Sequence, residues 1–296
     1  MAAVHETAME KKEYLPFHTE CLTPWIMQIA KQELNENEET RASYIEQLRK
    51  LVLAEKNLKC RMDDEFLLQF LRARKFSVEK AFTRLQTLFT VFSRSFPDVF
   101  ADCDADSIRS MLKCGVASIL PYRNEDGSLV LLIKMGEWDP SQHDAITFLS
   151  FITAALLCAV DNPVTQICGL HVLVDVKGTT VGHIRQLKPR FLYLISKGLR
   201  DTPPVRYKGI HLFNASTIFK YLWSVINIFL SEKLRSRVKF HDDSIESLHK
   251  FISKAILPSE YGGDDSNFDA AECSEREVGN FLPKYLELVH SGYVTK

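Results

Sequence analysis

The sequence predicts an α/β protein in which a helical amino-terminal subdomain precedes a mostly parallel sheet with helices packed on it. In the first hundred of the 296 residues, apolar side chains recur with the period of amphipathic helices. Beyond about residue 113, short β-branched runs alternate with helical stretches, a pattern typical of parallel strands joined by crossover helices. We therefore expect a flexible tail over residues 1–20, a helical subdomain over 21–100 and an α/β domain over 101–296.

Four helices are predicted in the amino-terminal subdomain. Thr23 can cap the first, and Pro24 suits its first helical position. A second, amphipathic helix follows, the third begins at Asp63 and Asp64, and Ser77 caps the fourth. The apolar stripe of the second helix is Tyr44, Ile45, Leu48, Leu51 and Val52, and that of the fourth is Ala81, Phe82, Leu85, Leu88, Phe89 and Phe92.

The α/β domain is predicted to begin with a hairpin. Residues 116–120 and 129–135 are strand-like, and the Asn-Glu-Asp-Gly sequence at 124–127 has the chemistry of a tight turn. The later elements are a long apolar helix, a strand, a helix and a second short strand, at 146–160, 169–176, about 189–199 and 209–213. Strands alternating with helices predict a sheet that is mostly parallel.

Several classes of function find no support in the sequence. The motifs of serine hydrolases, zinc proteases, P-loop proteins and dinucleotide-binding proteins are absent. His171 and His211 lie in predicted strands, where a lone histidine is more often structural than catalytic, and Asp161 and Asp175 are expected to cap or turn the chain. We therefore expect no catalytic residue, no metal site and no cofactor.

The location of the protein is predicted from its cysteines and its apolar segments. Seven scattered cysteines without metal-ligand spacing indicate reduced thiols in the cytoplasm. The first twelve residues hold no apolar signal segment, and the apolar stretch 146–160 falls short of the roughly 20 residues that span a bilayer. We expect neither secretion nor a transmembrane helix.

The charge of the chain is unevenly distributed. The segment 206–241 holds seven Lys or Arg and one acid, Glu232, for a net charge of +6, whereas the whole chain has −1. A solvated helix end explains such a run as well as a binding surface does, and nothing indicates nucleic acid as a partner.

Inside this basic segment, residues 218–230 are apolar almost all round. Such a helix must be buried or must contact an apolar partner. The two helical stripes are Ile218, Leu222, Val225 and Phe229, and Phe219, Trp223, Ile226 and Leu230. Either one stripe contacts a lipid within the protein and the other a bilayer, or both pack between the sheet and the helical subdomain.

Five segments in the same order resemble the CRAL-TRIO lipid-transfer family, in the branch of α-tocopherol transfer protein, cellular retinaldehyde-binding protein and clavesin. The resemblance covers roughly residues 40–290. Its segments are Asp64 to Phe76 (DEFLLQFLRARKF), Trp138-Asp139-Pro140, Asp175 with Gly178, Gly209 to Asn214 (GIHLFN) and Ile256 to Gly263 (ILPSEYGG).

The resemblance implies a CRAL-TRIO lipid-binding domain whose sheet floors an apolar pocket, with a mobile lid helix at about 216–230. The pocket positions that it implies are Leu149, Ile152, Thr153, Leu156, Leu170, Val174, Leu199, Val205, Tyr207 and Ile210; ordinary core packing is the alternative for each. Its lid and membrane positions are Ile218, Phe219, Leu222, Val225 and Phe229. Its phosphoinositide-binding positions are Arg74, Arg206, Lys208 and Lys233, three of which lie in the basic segment.

The sequence departs from the family pattern at the lid and in the pocket. Asn214-Ala215-Ser216 replaces Asn-x-Pro, and Asn227-Ile228-Phe229-Leu230 replaces Lys-Pro-Phe-Leu, which leaves the bend of the lid open. Val205 stands near the place where the phosphatidylinositol-transfer branch has a glutamate. Valine favours a terpenoid or other mostly apolar ligand over an internal phosphoinositide.

The function expected from these observations is that of a monomeric, non-enzymatic carrier. It would hold a hydrophobic lipid resembling tocopherol, a retinoid or a carotenoid, and exchange it at anionic, phosphoinositide-containing membranes such as those of endosomes. The alternative is a phosphoinositide-binding sensor that transfers no lipid between membranes.

Overall fold

Helices form the amino-terminal third of the protein in a computed structural model, which describes residues 14–100, 105–186, 188–200 and 203–294. These helices are α1 Pro24–Leu34, α2 Glu38–Ala54, α3 Asp64–Ala73, α4 Val78–Thr90 with a π-helical continuation Val91–Ser95, α5 Pro97–Phe100 and α6 Ala105–Lys113. The four predicted helices correspond to α1 to α4.

The starts of these helices are capped in different ways. The carboxylate of Asp63 accepts a hydrogen bond from the backbone N–H of Phe66 at 3.0 Å, which satisfies one of the unpaired donors at the start of α3. Thr23 and Ser77 occupy the cap positions of α1 and α4, but neither side chain makes a capping hydrogen bond. Pro24 at the first helical position of α1 follows the prediction.

A five-stranded sheet forms the centre of the α/β part. Its strands, in the spatial order β2-β3-β4-β5-β6, are β2 Ala117–Ile119, β3 Leu129–Lys134, β4 Leu170–Asp175, β5 Tyr207–Phe213 and β6 Val238–Asp242. The first pair is antiparallel and the other three pairs are parallel, so the predicted hairpin and parallel sheet are both confirmed. Strand β6 was not predicted, because its Val-Lys-Phe-His-Asp sequence lies in the basic segment and alternates polar with apolar residues.

The remaining helices cover both faces of this sheet. They are α7 Ala145–Asp161, α8 Pro163–Cys168, α9 Val181–Gln186, α10 Pro189–Arg200, α11 Thr217–Ile226 with a 3₁₀ turn Asn227–Phe229, α12 Glu232–Arg235, α13 Ile245–His249, α14 Ala270–Ser274 and α15 Asn280–Val289. The predicted long apolar helix is α7, which is buried almost throughout. No helix in the described part of the chain is long and apolar enough to cross a membrane.

The helical subdomain and the α/β part share one hydrophobic core. Its buried side chains come from α2 to α4, from α7 and from α15, without a break near residue 100. The short strands β1 Leu58–Lys59 and β7 Gly292–Tyr293 pair antiparallel, which joins the helical subdomain to the carboxyl end of the chain. We therefore treat the two parts as packed layers of one body.

Candidate functional site

An apolar cavity lies between one face of the sheet and three helices. Strands β3 to β5 supply alternate side chains to its floor, because successive residues of a strand face opposite sides of a sheet. A volume of about 200 Å³ is open to the centres of water molecules. Its floor includes Ile133, Val172, Val174, Ile210 and Leu212, and its walls include Phe148, Leu149, Ile152, Thr153 and Leu156 of α7 and Phe191, Leu194 and Ile195 of α10.

Helix α11 covers the cavity with a stripe of described side chains. Phe219, Trp223 and Ile226 line the cavity, and their spacing of four and three residues places them on one face of the helix. This stripe is one of the two that the sequence contains. The side chains of the other stripe, at 218, 222, 225 and 229, lie outside the described residues.

Helix α11 ends in a bend that forms without the family prolines. Helix α11 passes into the 3₁₀ turn Asn227–Phe229, and the buried Leu230 follows. At the other end, Asn214 takes a left-handed conformation with φ 56° and donates through Nδ2 to the carboxylate of Asp175 at 2.8 Å. Ile228, in the turn, is 75% exposed, which leaves an apolar side chain at the outer end of the lid.

Polar side chains that line the cavity are bonded to the protein itself. Thr153 donates to the carbonyl of Leu149 at 2.8 Å, and Thr179 donates to that of Val176 at 2.7 Å. Both hydroxyl protons are therefore engaged in hydrogen bonds within the protein. Only the lone pairs of the two oxygens remain available to a ligand, as acceptors.

His183 is held in the same way at both ring nitrogens. Nδ1 lies 2.9 Å from the hydroxyl of Thr180, and Nε2 lies 2.8 Å from the carbonyl of Trp138. Because a carbonyl only accepts, Nε2 carries the proton.

The indole of Trp223, by contrast, makes no hydrogen bond in the described part of the chain; its ring meets the edge of Phe240 with the centroids 5.6 Å apart.

Six of the ten predicted pocket residues line this cavity. They are Leu149, Ile152, Thr153, Leu156, Val174 and Ile210. Leu170 is fully buried in the core without lining the cavity, and Val205 and Tyr207 line a second, basic cavity. The side chain of Leu199 lies outside the described residues.

The basic cavity collects cations from four segments of the chain and has a volume of about 570 Å³. All four predicted phosphoinositide-binding residues line it, namely Arg74, Arg206, Lys208 and Lys233. Three further basic residues line the cavity without having been predicted from the sequence, namely Lys75, Arg84 and Arg237. Lys75 follows Arg74 and Arg237 belongs to the basic segment, whereas nothing in the local sequence of the buried Arg84 indicated this position.

Cations crowd one another in the basic cavity. Burial lowers the pKa of Lys233, and the neighbouring charges of Arg237 and Arg74 lower it further. Burial and Arg206 likewise lower the pKa of Arg237. Such mutual repulsion is relieved by an anion, which identifies the cavity as a candidate anion site.

The two cavities are separated by one short segment of chain. Pro203 lines the apolar cavity, and Val205 lines the basic one. Arg84 donates to the carbonyl of Pro203, so a basic side chain of the second cavity holds the wall of the first. The hydroxyl of Tyr207, also at the basic cavity, is buried without a hydrogen-bond partner in the described part of the chain, and burial raises its pKa.

The opposite face of the sheet carries a row of buried histidines. Nδ1 of His171 lies 2.9 Å from Nε2 of His211, and Nδ1 of His211 lies 2.9 Å from Nε2 of His241. Gly209 makes room for the row, since a Cβ atom there would lie 2.5 Å from Nε2 of His211. Burial lowers the pKa of His171 to about 4 and that of His211 to about 3, which keeps both neutral at pH 7.

Asp175 joins three segments at the carboxyl end of β4. Its carboxylate accepts hydrogen bonds from the side chain of Asn214, from the hydroxyl of Tyr261 at 3.0 Å and from the backbone N–H of Lys177 at 2.9 Å. These bonds are structural. No group of three or more potential metal ligands occurs among the residues that the structure describes.

Comparison with protein families and with individual proteins gives consistent matches. The family model described as CRAL/TRIO domain matches residues 113–263, and that described as CRAL/TRIO, N-terminal domain matches residues 30–87. Alpha-tocopherol transfer protein-like of Homo sapiens is 32% identical over 274 residues, which are 92% of this chain and 79% of that protein. Clavesin-1 of Xenopus laevis is 31% identical over 92% of this chain and 82% of its own length, and clavesin-2 of Mus musculus is 34% identical over 82% and 75%.

Proposed function

Because the chain belongs to the CRAL/TRIO family of lipid-binding and lipid-transfer proteins, we propose that it is a carrier that encloses one apolar lipid and exchanges it at phosphoinositide-containing membranes. The observation that carries this proposal is the apolar cavity under α11. Phe219, Trp223 and Ile226 close the cavity from a helix joined to the sheet by two bends, so a movement of one element opens it.

The free energy of burial is sufficient for carriage. An apolar lipid that buries about 500 Å² gains roughly 12 kcal/mol at about 25 cal/mol/Å², before the costs of lost freedom and of ordering the lid. Direct escape into water forfeits this gain. Exchange therefore needs an apolar surface beside the open lid, which a membrane supplies.

The few polar side chains that line the cavity restrict the ligand to a molecule with few oxygens. Thr153, Thr179 and His183 already use their protons within the protein, so an ionised or strongly polar group entering the cavity would lose its hydration without adequate compensation. A terpenoid such as a tocopherol, retinoid or carotenoid meets this condition.

The position of the basic cavity in the chain supports a coupling between head-group binding and the lid. Ser231 and Lys233 line it, and they follow the end of the lid, Phe229, by two and four residues. A head group held at Lys233 therefore acts on the chain directly behind the lid. If it binds the open state more tightly than the closed one, it opens the lid by that difference in affinity.

Binding and transfer of a fluorescent terpenoid test the apolar site. We expect Leu156→Trp or Val174→Trp to abolish uptake by filling the cavity. Leu53→Trp is the matched control, because Leu53 is 64% exposed on α2 and does not line the cavity. Uptake unchanged in both cavity variants contradicts the assignment, and mass spectrometry of lipid extracted from the purified protein identifies the occupant.

Vesicle-to-vesicle transfer tests the basic site. Reversing Arg206 and Lys208 to glutamate is expected to remove the stimulation by phosphatidylinositol bisphosphate while extraction from neutral vesicles stays nearly intact. Lys220→Glu is the comparison, since Lys220 lies on α11 outside the basic cavity, paired with Asp242. Equal losses on phosphatidylserine and phosphoinositide vesicles indicate a diffuse basic surface instead, and lipid binding without any transfer indicates a phosphoinositide sensor.

A further inference from the structure

Tyr207 carries a buried hydroxyl group to which the described part of the chain offers no hydrogen bond. The residue is the first of β5, is 5% exposed and lines the basic cavity. Its hydroxyl oxygen is closed to solvent and has no partner among the described residues. A buried polar group without a partner lowers the stability of a folded protein, so the presence of this one calls for a reason other than folding.

An irregularity in the sheet decides which way Tyr207 points. Strand β5 has one extra residue at Lys208, because Leu170 of β4 is opposite Tyr207 while the next residue of β4 is opposite Gly209. Such a bulge shifts the alternation of side chains between the two faces of a sheet. Tyr207 therefore points to the same face as Ile210, which lines the apolar cavity. With regular alternation it would point to the face that carries the histidine row.

The hydroxyl of Tyr207 differs in kind from the other groups that line the basic cavity. The rest of the described lining consists of charged side chains, apolar side chains and Ser231, whose hydroxyl oxygen accepts the backbone N–H of Leu234 at 3.3 Å at the start of α12. Cations attract any anion over several ångströms, whereas an O–H group acts only on an acceptor at hydrogen-bond distance. The phenol thus adds a short-range requirement to a long-range attraction.

The surroundings of the phenol favour an anionic acceptor. Burial raises the pKa of Tyr207, and the nearby charge of Arg84 opposes this rise without cancelling it. The hydroxyl therefore keeps its proton at neutral pH and can donate it. Hydrogen bonds to an ionised acceptor are roughly twice as strong as those between neutral groups.

On the basis of the phosphoinositide site proposed above, we propose that Tyr207 is a further ligand-binding residue, whose hydroxyl donates a hydrogen bond to a phosphate monoester in the basic cavity. The phosphate draws the flexible lysine and arginine side chains of the lining onto its oxygens, which opens the way to the phenol. Binding then satisfies a donor that folding leaves unpaired. A lipid head group and a soluble inositol phosphate share this chemistry.

Tyr207→Phe removes the hydroxyl alone, and two probes measure the effect. They are neutral vesicles that contain phosphatidylinositol bisphosphate, and soluble inositol trisphosphate titrated in a calorimeter. We expect the affinity for both to fall about 10-fold, the low end for a hydrogen bond to a charged group. The dependence of binding on salt should stay the same because no charge is lost, whereas Lys208→Gln should reduce it.

Stability separates a role in binding from a role in folding. Without phosphate, Tyr207→Phe should leave the midpoint of urea unfolding unchanged or raise it, because the variant lacks a buried polar group that had no partner. Tyr293→Phe is the matched control, since that hydroxyl donates to Glu55 at 3.1 Å and the residue does not line the basic cavity. The control should lower the midpoint and bind both probes as the unaltered protein does.

A midpoint that falls as far in Tyr207→Phe as in the control would assign the hydroxyl to folding and overturn the proposal. A loss of affinity confined to vesicles would also overturn it, because the effect would then lie at the membrane surface. A loss confined to inositol trisphosphate supports the proposal with a soluble phosphate as the ligand. If the unaltered protein binds both probes and Tyr207→Phe binds them equally well, only the role of Tyr207 is refuted. If the unaltered protein binds neither probe, the phosphoinositide site and this inference fail together.

Discussion

Single side chains decide what the apolar cavity can accept. The described polar residues of the cavity, on α7 and at or near α9, already donate their protons to backbone carbonyls. They therefore offer no hydrogen-bond donor to an acceptor group of the ligand. Trp223 differs, because its indole N–H has no hydrogen-bond partner in the described part of the chain and the residue lines the cavity from the lid. It is the side chain best suited to contact an oxygen of the ligand.

We expect Trp223→Phe to weaken binding of a terpenoid that carries one oxygen by about 1 kcal/mol, the net contribution of a typical hydrogen bond. Binding of the corresponding hydrocarbon should not change, because phenylalanine retains most of the apolar contact. Competition titrations with the two lipids measure this difference. Equal losses for both lipids would mean that Trp223 serves only by packing.

At the scale of elements, the lid and the back of the sheet have opposite characters. The lid ends in the exposed apolar residue Ile228, whereas the back of β4 to β6 carries a buried row of histidines. An exposed apolar side chain at the end of α11 favours contact with a membrane, and buried neutral imidazoles make the sheet sensitive to acid.

We expect Ile228→Asp to weaken association with vesicles several-fold while terpenoid binding in solution stays close to that of the unaltered protein. The reason is that Ile228 does not line the cavity, so its replacement removes contact with the bilayer but none with the ligand. Vesicle flotation and fluorescence titration separate the two effects. Val181→Asp is the control, because Val181 is similarly exposed at the start of α9. Parallel losses of vesicle and ligand binding would assign Ile228 to the closure of the pocket.

The histidine row predicts how stability depends on pH. In the folded protein the pKa of His171 is about 4 and that of His211 about 3, below the 6.5 of an exposed histidine. Below pH 6.5 these two histidines therefore bind protons in the unfolded chain but remain neutral in the folded protein. Stability is full above pH 6.5 and falls toward pH 4 by about 1 kcal/mol per pH unit for each histidine.

Urea unfolding at pH 7.5, 6.5 and 5.5 measures this slope. Replacing His171 with leucine should flatten it, whereas replacing the exposed His290 with leucine should not. A slope that is unaltered by His171→Leu would show that other groups cause the acid sensitivity.

At the scale of the whole molecule, a buried ion pair ties the helical subdomain to the α/β part. Arg72 of α3 donates to Glu36 through Nε and Nη2, both at 2.9 Å, and through Nη1 to Gln166 of α8 at 2.8 Å. All three side chains are buried. Together with the shared core, this arrangement predicts that the protein unfolds as one cooperative unit.

We expect Arg72→Leu to lower the free energy of unfolding by about 3 kcal/mol, the low end for a broken buried ion pair, because the buried carboxylate of Glu36 loses Arg72 but keeps Arg41 at 2.9 Å. Arg109→Leu, which breaks an exposed pair with Asp106, should cost less than about 1 kcal/mol. Denaturant unfolding followed by circular dichroism compares the two variants. A small effect of Arg72→Leu, or two separate transitions in the unaltered protein, would contradict this role.

The amino-acid sequence by itself determined the class of the fold, the order of its main elements up to β5 and the positions of the charges. Capping residues identified α1 and α3, apolar periodicity identified α2 and α4, an apolar run identified α7, and the turn at 124–127 placed the hairpin, because these signals are local to a few turns of chain. The four basic residues that the family resemblance implied all line one cavity. Strand β6 escaped prediction, since five residues of mixed polarity carry little signal.

Only the tertiary structure decided which side chains share a cavity. Val205 and Tyr207 belong to the basic cavity rather than the apolar one, and Glu33, Lys75 and Arg84 join it from the helical subdomain. Residues 33, 84 and 206 are distant in sequence, and no local pattern records that α1, α4 and β5 meet. Periodicity shows which face of an element is apolar, but the partner of that face is set by packing across the whole chain.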